Sequence, residues 1–133
     1  VVSFGSAITV DLLDARGVHH GGLIGIAPEH ARQALVERFP ALDRGGATVD
    51  APIFGVDTPE AVAAGVHGQA LGLVLAAWGD ACVRLGHPPA LMVGGGDAPA
   101  FADALARRLP AELALREAMV LDGLRVYAVA SED

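Results

Sequence analysis

The run Gly94-Gly95-Gly96-Asp97-Ala98 lies between an apolar stretch, Ala90-Leu91-Met92-Val93, and a helix-like segment, Pro99-Ala100-Phe101-Ala102-Asp103-Ala104-Leu105. A strand that turns through glycines into a helix lets backbone approach a ligand where no Cβ intervenes. It also offers the unpaired N–H groups of the helix start to an anion. That is the chemistry of nucleotide binding, although the run lacks the Lys-Ser/Thr ending of a P-loop and is not GxGxxG. A plain tight turn would use the same residues. Gly5-Ser6-Ala7 with Thr9 is a second candidate: a glycine-hydroxyl turn at a strand junction can present N–H and O–H groups to a phosphate, or serve as an ordinary hairpin. Asp97 and Asp122 each follow an apolar segment read as a strand, where α/β sites gather; capping the next helix is their alternative role.

Other candidates point away from chemistry. His19 and His20 are adjacent in a strand-like segment and so face opposite ways, which does not suit a shared metal. Glu29-His30 lacks HExxH spacing, and no metal-ligand pattern is present. Cys82 sits mid-helix without a paired histidine and reads as a buried structural thiol rather than a nucleophile.

These residues are carried by a chain of 133, of which 53% are hydrophobic and 19% charged, enough for one domain with a real core. Nine arginines, no lysine and a net charge of -7 argue against nucleic acid or an anionic membrane as partner. One cysteine excludes an internal disulfide framework and fits a reducing, cytoplasmic setting. The start, Val1-Val2-Ser3-Phe4, has no basic signal region and no initiator Met, and reads as a strand edge cut from something longer. Ala61 to Gly79 carries no formal charge over a bilayer's length. Its modest hydrophobicity, with His67 and Gln69 inside it, favours a buried or interface helix over a span.

The elements follow from pattern. Val1–Phe4, Ala7–Leu13 and Val18–Ile26 read as an antiparallel meander, with Asp14-Ala15-Arg16-Gly17 as a turn. Pro28 to Phe39 has helical spacing, ended by Pro40. Residues 40 to 56 read as a loop with Gly45-Gly46 and Pro52. Asp57-Thr58-Pro59-Glu60 is a helix start, with a capping residue, Pro at the first position and an acid in the first turn. That helix runs to Leu85 and closes at Gly86. A strand at 90–93, a helix at 99–109, a short strand around Ala118–Leu121 and a helical or irregular segment to Ala130 complete the order β-β-β-α-α-β-α-β-α. Gly65, Gly68, Gly72, Ala76 and Gly79 form a small-residue stripe on the long helix. Each glycine there costs on the order of 1 kcal/mol relative to Ala, which close approach of another helix would offset, as in a homodimer.

In this order the pieces resemble the type III pantothenate kinases. Val1-Val2-Ser3-Phe4-Gly5-Ser6-Ala7-Ile8-Thr9-Val10-Asp11 resembles V-V-D-x-G-T-A-x-T-x-D, and Gly17-Val18-His19-His20-Gly21-Gly22-Leu23-Ile24 resembles G-x-x-x-G-G-x-I. Phe54 to Val62 resembles G-x-N-T-x-E-A-I, Gly95-Gly96-Asp97-Ala98 matches G-G-D-A, and Leu121-Asp122-Gly123-Leu124 resembles the closing L-x-G-L. The resemblance implies a cytosolic, homodimeric enzyme of the acetate kinase/sugar kinase/Hsp70/actin superfamily. Such an enzyme moves the γ-phosphoryl group of ATP, with Mg, onto pantothenate at the first step of coenzyme A synthesis. It implies a single ribonuclease H-like α/β domain corresponding to the C-terminal half, with three antiparallel strands, then parallel strands, and helices packed on the sheet. It places Gly5 and Ser6 at the ATP, Gly95 and Gly96 beside the adenosine, and Thr58 at the pantothenate. The homodimer would form through the helix carrying Gly65, Gly68, Gly72 and Gly79.

The departures count too. Ser3 stands where the family has a cation-binding Asp, which puts a monovalent-cation site in doubt. Ile26-Ala27 replace Pro-Gly, and Gly94 replaces Thr. The N-terminal half, with the D-x-G-N-[TS] loop and the catalytic Asp, is not in this sequence. Phosphoryl transfer needs positioning and charge from both sides of a cleft, so no catalytic residue is assigned and the chain alone is expected to be inactive. A non-catalytic regulatory or scaffold relative is the alternative, and a sugar kinase half a third reading.

Overall fold

The computed structural model describes residues 1–42 and 53–130; Gly45-Gly46 and Pro52 lie outside them. Alternation builds the first sheet segment. Strand β1 (Val2–Phe4) pairs antiparallel with β2 (Ala7–Leu13), which pairs antiparallel with β3 (His19–Ile26). The turn between β2 and β3 is closed by Asp14, whose carboxylate accepts from the backbone N–H groups of Arg16 (2.8 Å) and Val18 (2.9 Å). Those bonds, with His20 and Arg16 beside it, pull the Asp14 carboxyl down to about 2, the Val18 N–H being the largest cause.

Pro28 starts α1 (Pro28–Arg38), which packs against α2 (Thr58–Leu85). Helix α2 is capped as the sequence predicts: Asp57 accepts from Glu60 N–H at 2.9 Å, and Glu60 reaches back to accept from Val56 N–H at 3.0 Å. Beyond Gly86 the chain forms β4 (Leu91–Gly94), α3 (Ala98–Ala106), β5 (Leu113–Leu115) and α4 (Met119–Ala130). The sheet order is β3-β2-β1-β4-β5, with β1, β4 and β5 parallel. The expected α/β architecture, an antiparallel start followed by parallel strands, is present.

The end of the chain departs from expectation. The final strand is Leu113–Leu115, not Ala118–Leu121, because pairing with Leu91–Val93 captures the earlier residues. The chain then turns at Arg116, whose carbonyl accepts from Met119 N–H, and α4 begins. The third helix also stops earlier than residue 109, at Ala106.

The core lies on one face of the sheet. Val2, Phe4, Ile8, Leu91 and Val93 meet Ala70, Leu71 and Val74 of α2 and Phe101, Ala104 and Leu105 of α3. Helix α2 is long and apolar enough to cross a membrane by composition, but here these residues seat it on the sheet. The alternate sheet residues Ser3, Thr9 and Ile24 form the opposite face, where Ile24 is exposed.

Candidate functional site

Because β1 and β4 are parallel neighbours, their C-terminal ends bring two distant glycine turns together. The Gly5-Ser6 turn leaves β1 and returns into β2, with Gly5 N–H donating to the Ala7 carbonyl at 3.1 Å. The Gly94–Gly96 turn leaves β4 and enters α3. It is tied to β1 by Asp97 N–H, which donates to the Phe4 carbonyl at 3.0 Å. Gly95 has φ +96, and a Cβ there would strike the Phe4 carbonyl oxygen and lie 2.8 Å from the Phe4 nitrogen. Two constraints thus require glycine at one position: left-handed backbone and contact with a neighbouring strand. A Cβ on Gly94 would lie 2.6 Å from the Arg116 carbonyl and 2.9 Å from Met119 Cε. Gly96, by contrast, has open space around it.

Beneath the turns, Phe4 stacks on Phe101 with ring centroids 4.3 Å apart and planes 5° from parallel. His67 of α2 tilts against Phe101 at 5.9 Å. Its Nδ1, among the buried side-chain polar atoms of the described residues, is the one without a hydrogen-bond partner. From α1, the His30 Nδ1 lies 3.1 Å from the Ser6 carbonyl. The Ser6 side chain itself is exposed.

Gly5, Ser6, Gly95 and Gly96 therefore sit at one end of the sheet. Thr58 lies on a different element. It opens α2, exposed, about 14 Å along the helix axis from His67. Asp97 caps α3 by position, but its side chain makes no capping bond. Asp122 lies in the first turn of α4 rather than after a strand. His19 and His20 turn to different carboxylates, Asp11 at 2.9 Å and Asp14 at 3.2 Å. Cys82 is half-buried rather than buried. Among the described residues no three of His, Cys, Asp and Glu converge on a metal position. Ser3 lies in mid-β1, paired with Thr9 and Gly94.

A sequence model of type III pantothenate kinase matches residues 1–79, over half of the chain. The chain belongs to that family. A type III pantothenate kinase of Stenotrophomonas maltophilia (strain R551-3) is 42% identical over 129 residues, covering 97% of this chain and 50% of the relative. One from Xanthomonas euvesicatoria pv. vesicatoria (strain 85-10) is 38% identical over 131 residues, covering 98% and 51%. The chain thus spans about half the length of these family members. A solved structure from Campylobacter jejuni, named for the Baf family of transcriptional activators, superposes with a TM-score of 0.68 over 98% of this chain and 57% of its own. At 21% identity that likeness shows the fold alone.

Sequence reading missed the aromatic floor. Phe101 reads only as part of a helix-like segment and His67 as a polar residue in an apolar one; their meeting depends on long-range packing that local pattern does not carry. The usable signal was the period: Ala63, Val66, Ala70 and Val74 mark the sheet-facing stripe of α2, and His67 adjoins it.

Proposed function

We propose that this chain forms one wall of the ATP cleft of a type III pantothenate kinase, the complete enzyme transferring the γ-phosphoryl group of ATP to pantothenate in the cytoplasm. The observation that carries the reading is the convergence of the Gly5-Ser6 and Gly94–Gly96 turns, tied by the Asp97 N–H to the Phe4 carbonyl. Peptide groups and the Ser6 hydroxyl line that end of the sheet, with the His30 imidazole beside the Ser6 carbonyl. Gly5 and Ser6 face the phosphates, Gly95 and Gly96 the adenosine, and Thr58 the pantothenate arriving from the start of α2. Mg²⁺ keeps several waters and rides on nucleotide phosphates, so it needs no protein cage here. Ser3 in place of the family Asp leaves a monovalent-cation site in doubt. The remaining half of the family's length supplies the opposing wall and the catalytic base. It has a place to dock on α4, which begins against Gly94 and exposes Val120, Leu121, Leu124 and Val126.

Homodimerisation through α2 has support in the stripe Gly65, Gly68, Gly72 and Gly79, since nothing among the described residues comes within 4 Å of a Cβ at any of them. Replacing Gly68 and Gly72 by Leu should lower the mass seen in sedimentation with the fold retained; an unchanged mass defeats the dimer face. For the cleft, calorimetry with ATP and an ADP-release assay with pantothenate are run on the chain alone and with the complementary half of a relative. Binding and turnover should need both halves. Turnover by the chain alone defeats the half-site reading. Absence of binding in either state supports the scaffold alternative, which Ser3 favours.

A further inference from the structure

The Gly5-Ser6 turn is not wedged in place as Gly95 is. A Cβ on Gly5 would meet its nearest atom, the Ala7 carbonyl oxygen, only at 3.9 Å. From outside the hairpin, a side chain of α1 reaches the turn. Strand β3 ends with Ile26 paired to Ala7, which brings the start of α1 beside it. Ala27 and Ala31 are both buried, and Ala31 N–H donates to the Ala27 carbonyl at 2.9 Å, so the first turn of α1 is seated. His30 stands on that turn, with its Nδ1 3.1 Å from the Ser6 carbonyl, 24 residues away in sequence. A carbonyl only accepts, so Nδ1 carries the hydrogen, and the neutral ring holds its lone pair on Nε2.

We propose that His30 is a positioning residue for the phosphate-facing turn, a role that rests on the cleft reading above. The peptide between Ser6 and Ala7 is trans, so its carbonyl and the Ala7 N–H point opposite ways. Holding the carbonyl on α1 therefore turns the Ala7 N–H away from α1. It also fixes the backbone that carries the exposed Ser6 side chain. Phosphoryl transfer is catalysed by positioning and charge stabilisation, and a small misplacement of a positioning group costs rate. His30 acts here as a donor, not as a charge or a base, because the neutral Nδ1–H ring and its protonated form both donate to the Ser6 carbonyl. The neighbouring Glu29 carboxylate is engaged along α1 by Arg32, at 3.0 and 3.1 Å, and by Gln33 at 3.4 Å.

Two variants test the role: His30→Ala removes the donor, and His30→Asn offers an amide N–H near the position of Nδ1. On the chain itself, heteronuclear NMR of the neutral imidazole should show the hydrogen on Nδ1. The Gly5 amide should exchange about tenfold faster in His30→Ala than in the parent, with His30→Asn close to the parent. In the chain paired with the complementary half of a relative, His30→Ala should lower kcat about tenfold and leave the KM for pantothenate unchanged. His30→Asn should restore kcat across the parent's pH profile. A hydrogen on Nε2, or equal exchange at Gly5, overturns the proposal. A paired parent whose turnover His30→Ala matches also overturns it and leaves the cleft reading standing. So does a loss of rate that His30→Asn does not restore, since the ring then acts by charge or proton transfer. A paired parent that binds no ATP defeats the cleft reading itself, and the role of His30 with it.

Discussion

The two ends of the parallel strands are finished by different means. Where β1 and β4 end, backbone meets backbone: the glycine turn lies against the Phe4 main chain, held by the Asp97 N–H. Where the same strands begin, side chains surround open space, and Trp78 spans to the next loop through its indole N–H on the Pro89 carbonyl at 3.2 Å. Peptide groups hold a shape that few substitutions can retain. A side-chain-lined cavity tolerates more change. One end of this domain is built of main chain, the other of side chains.

The comparison can be broken most forcefully at the aromatic floor. Phe101→Ala removes a buried ring from under the glycine turns and should cost about 3–5 kcal/mol, enough to abolish a cooperative thermal transition. If Tm moves by only a few degrees, the closed end does not depend on its floor. Gly95→Ala should cost about 1–3 kcal/mol from strained backbone, plus the clash with Phe4, and should release the protection of the Asp97 amide. Gly96→Ala, in open space, should fall within about 0.5 kcal/mol of the parent. Equal effects at the two positions would remove the argument for a backbone-built turn.

At the open end, Trp78→Phe keeps most of the ring and loses the bond to Pro89, for about 1 kcal/mol in a denaturant titration. A cost as large as that of Phe101→Ala would mean that this end is as tightly determined as the other. The smallest effect lies at the β2–β3 turn. The folded Asp14 carboxyl, at about 2, lies below its ordinary value of 3.8. Its contribution is therefore present above pH 4 and is lost as pH falls through about 2. An NMR titration should show the Arg16 and Val18 amides shifting in that window, and Asp14→Ala should abolish the shift.

Much of this was legible in the sequence, for local reasons. The Asp14–Gly17 turn, the Asp57–Glu60 cap and the glycine run each depend on residues within a few positions of one another. The final strand was misplaced because Glu112-Leu113-Ala114-Leu115 has no strand-specific pattern of its own. It becomes a strand only because β4 offers it a parallel edge. The meeting of the two glycine turns rests on the β1–β4 pairing, between residues at opposite ends of the chain. The cavity was invisible for the same reason: it is bounded by β2, β4 and α2, and none of these marks it alone.

The pairing of β1 with β4 also has a consequence for how the protein is made. Strand β1 is central in the finished sheet, yet its β4-side edge has no partner until Leu91–Gly94 has been synthesised. Until β4 emerges the nascent meander therefore carries an open strand edge, a known route to misassociation. Closing it requires a contact of high sequence separation, which slows folding. The glycine turns come together only after that event, so the closed end of the domain is the last part of the sheet to take its final shape.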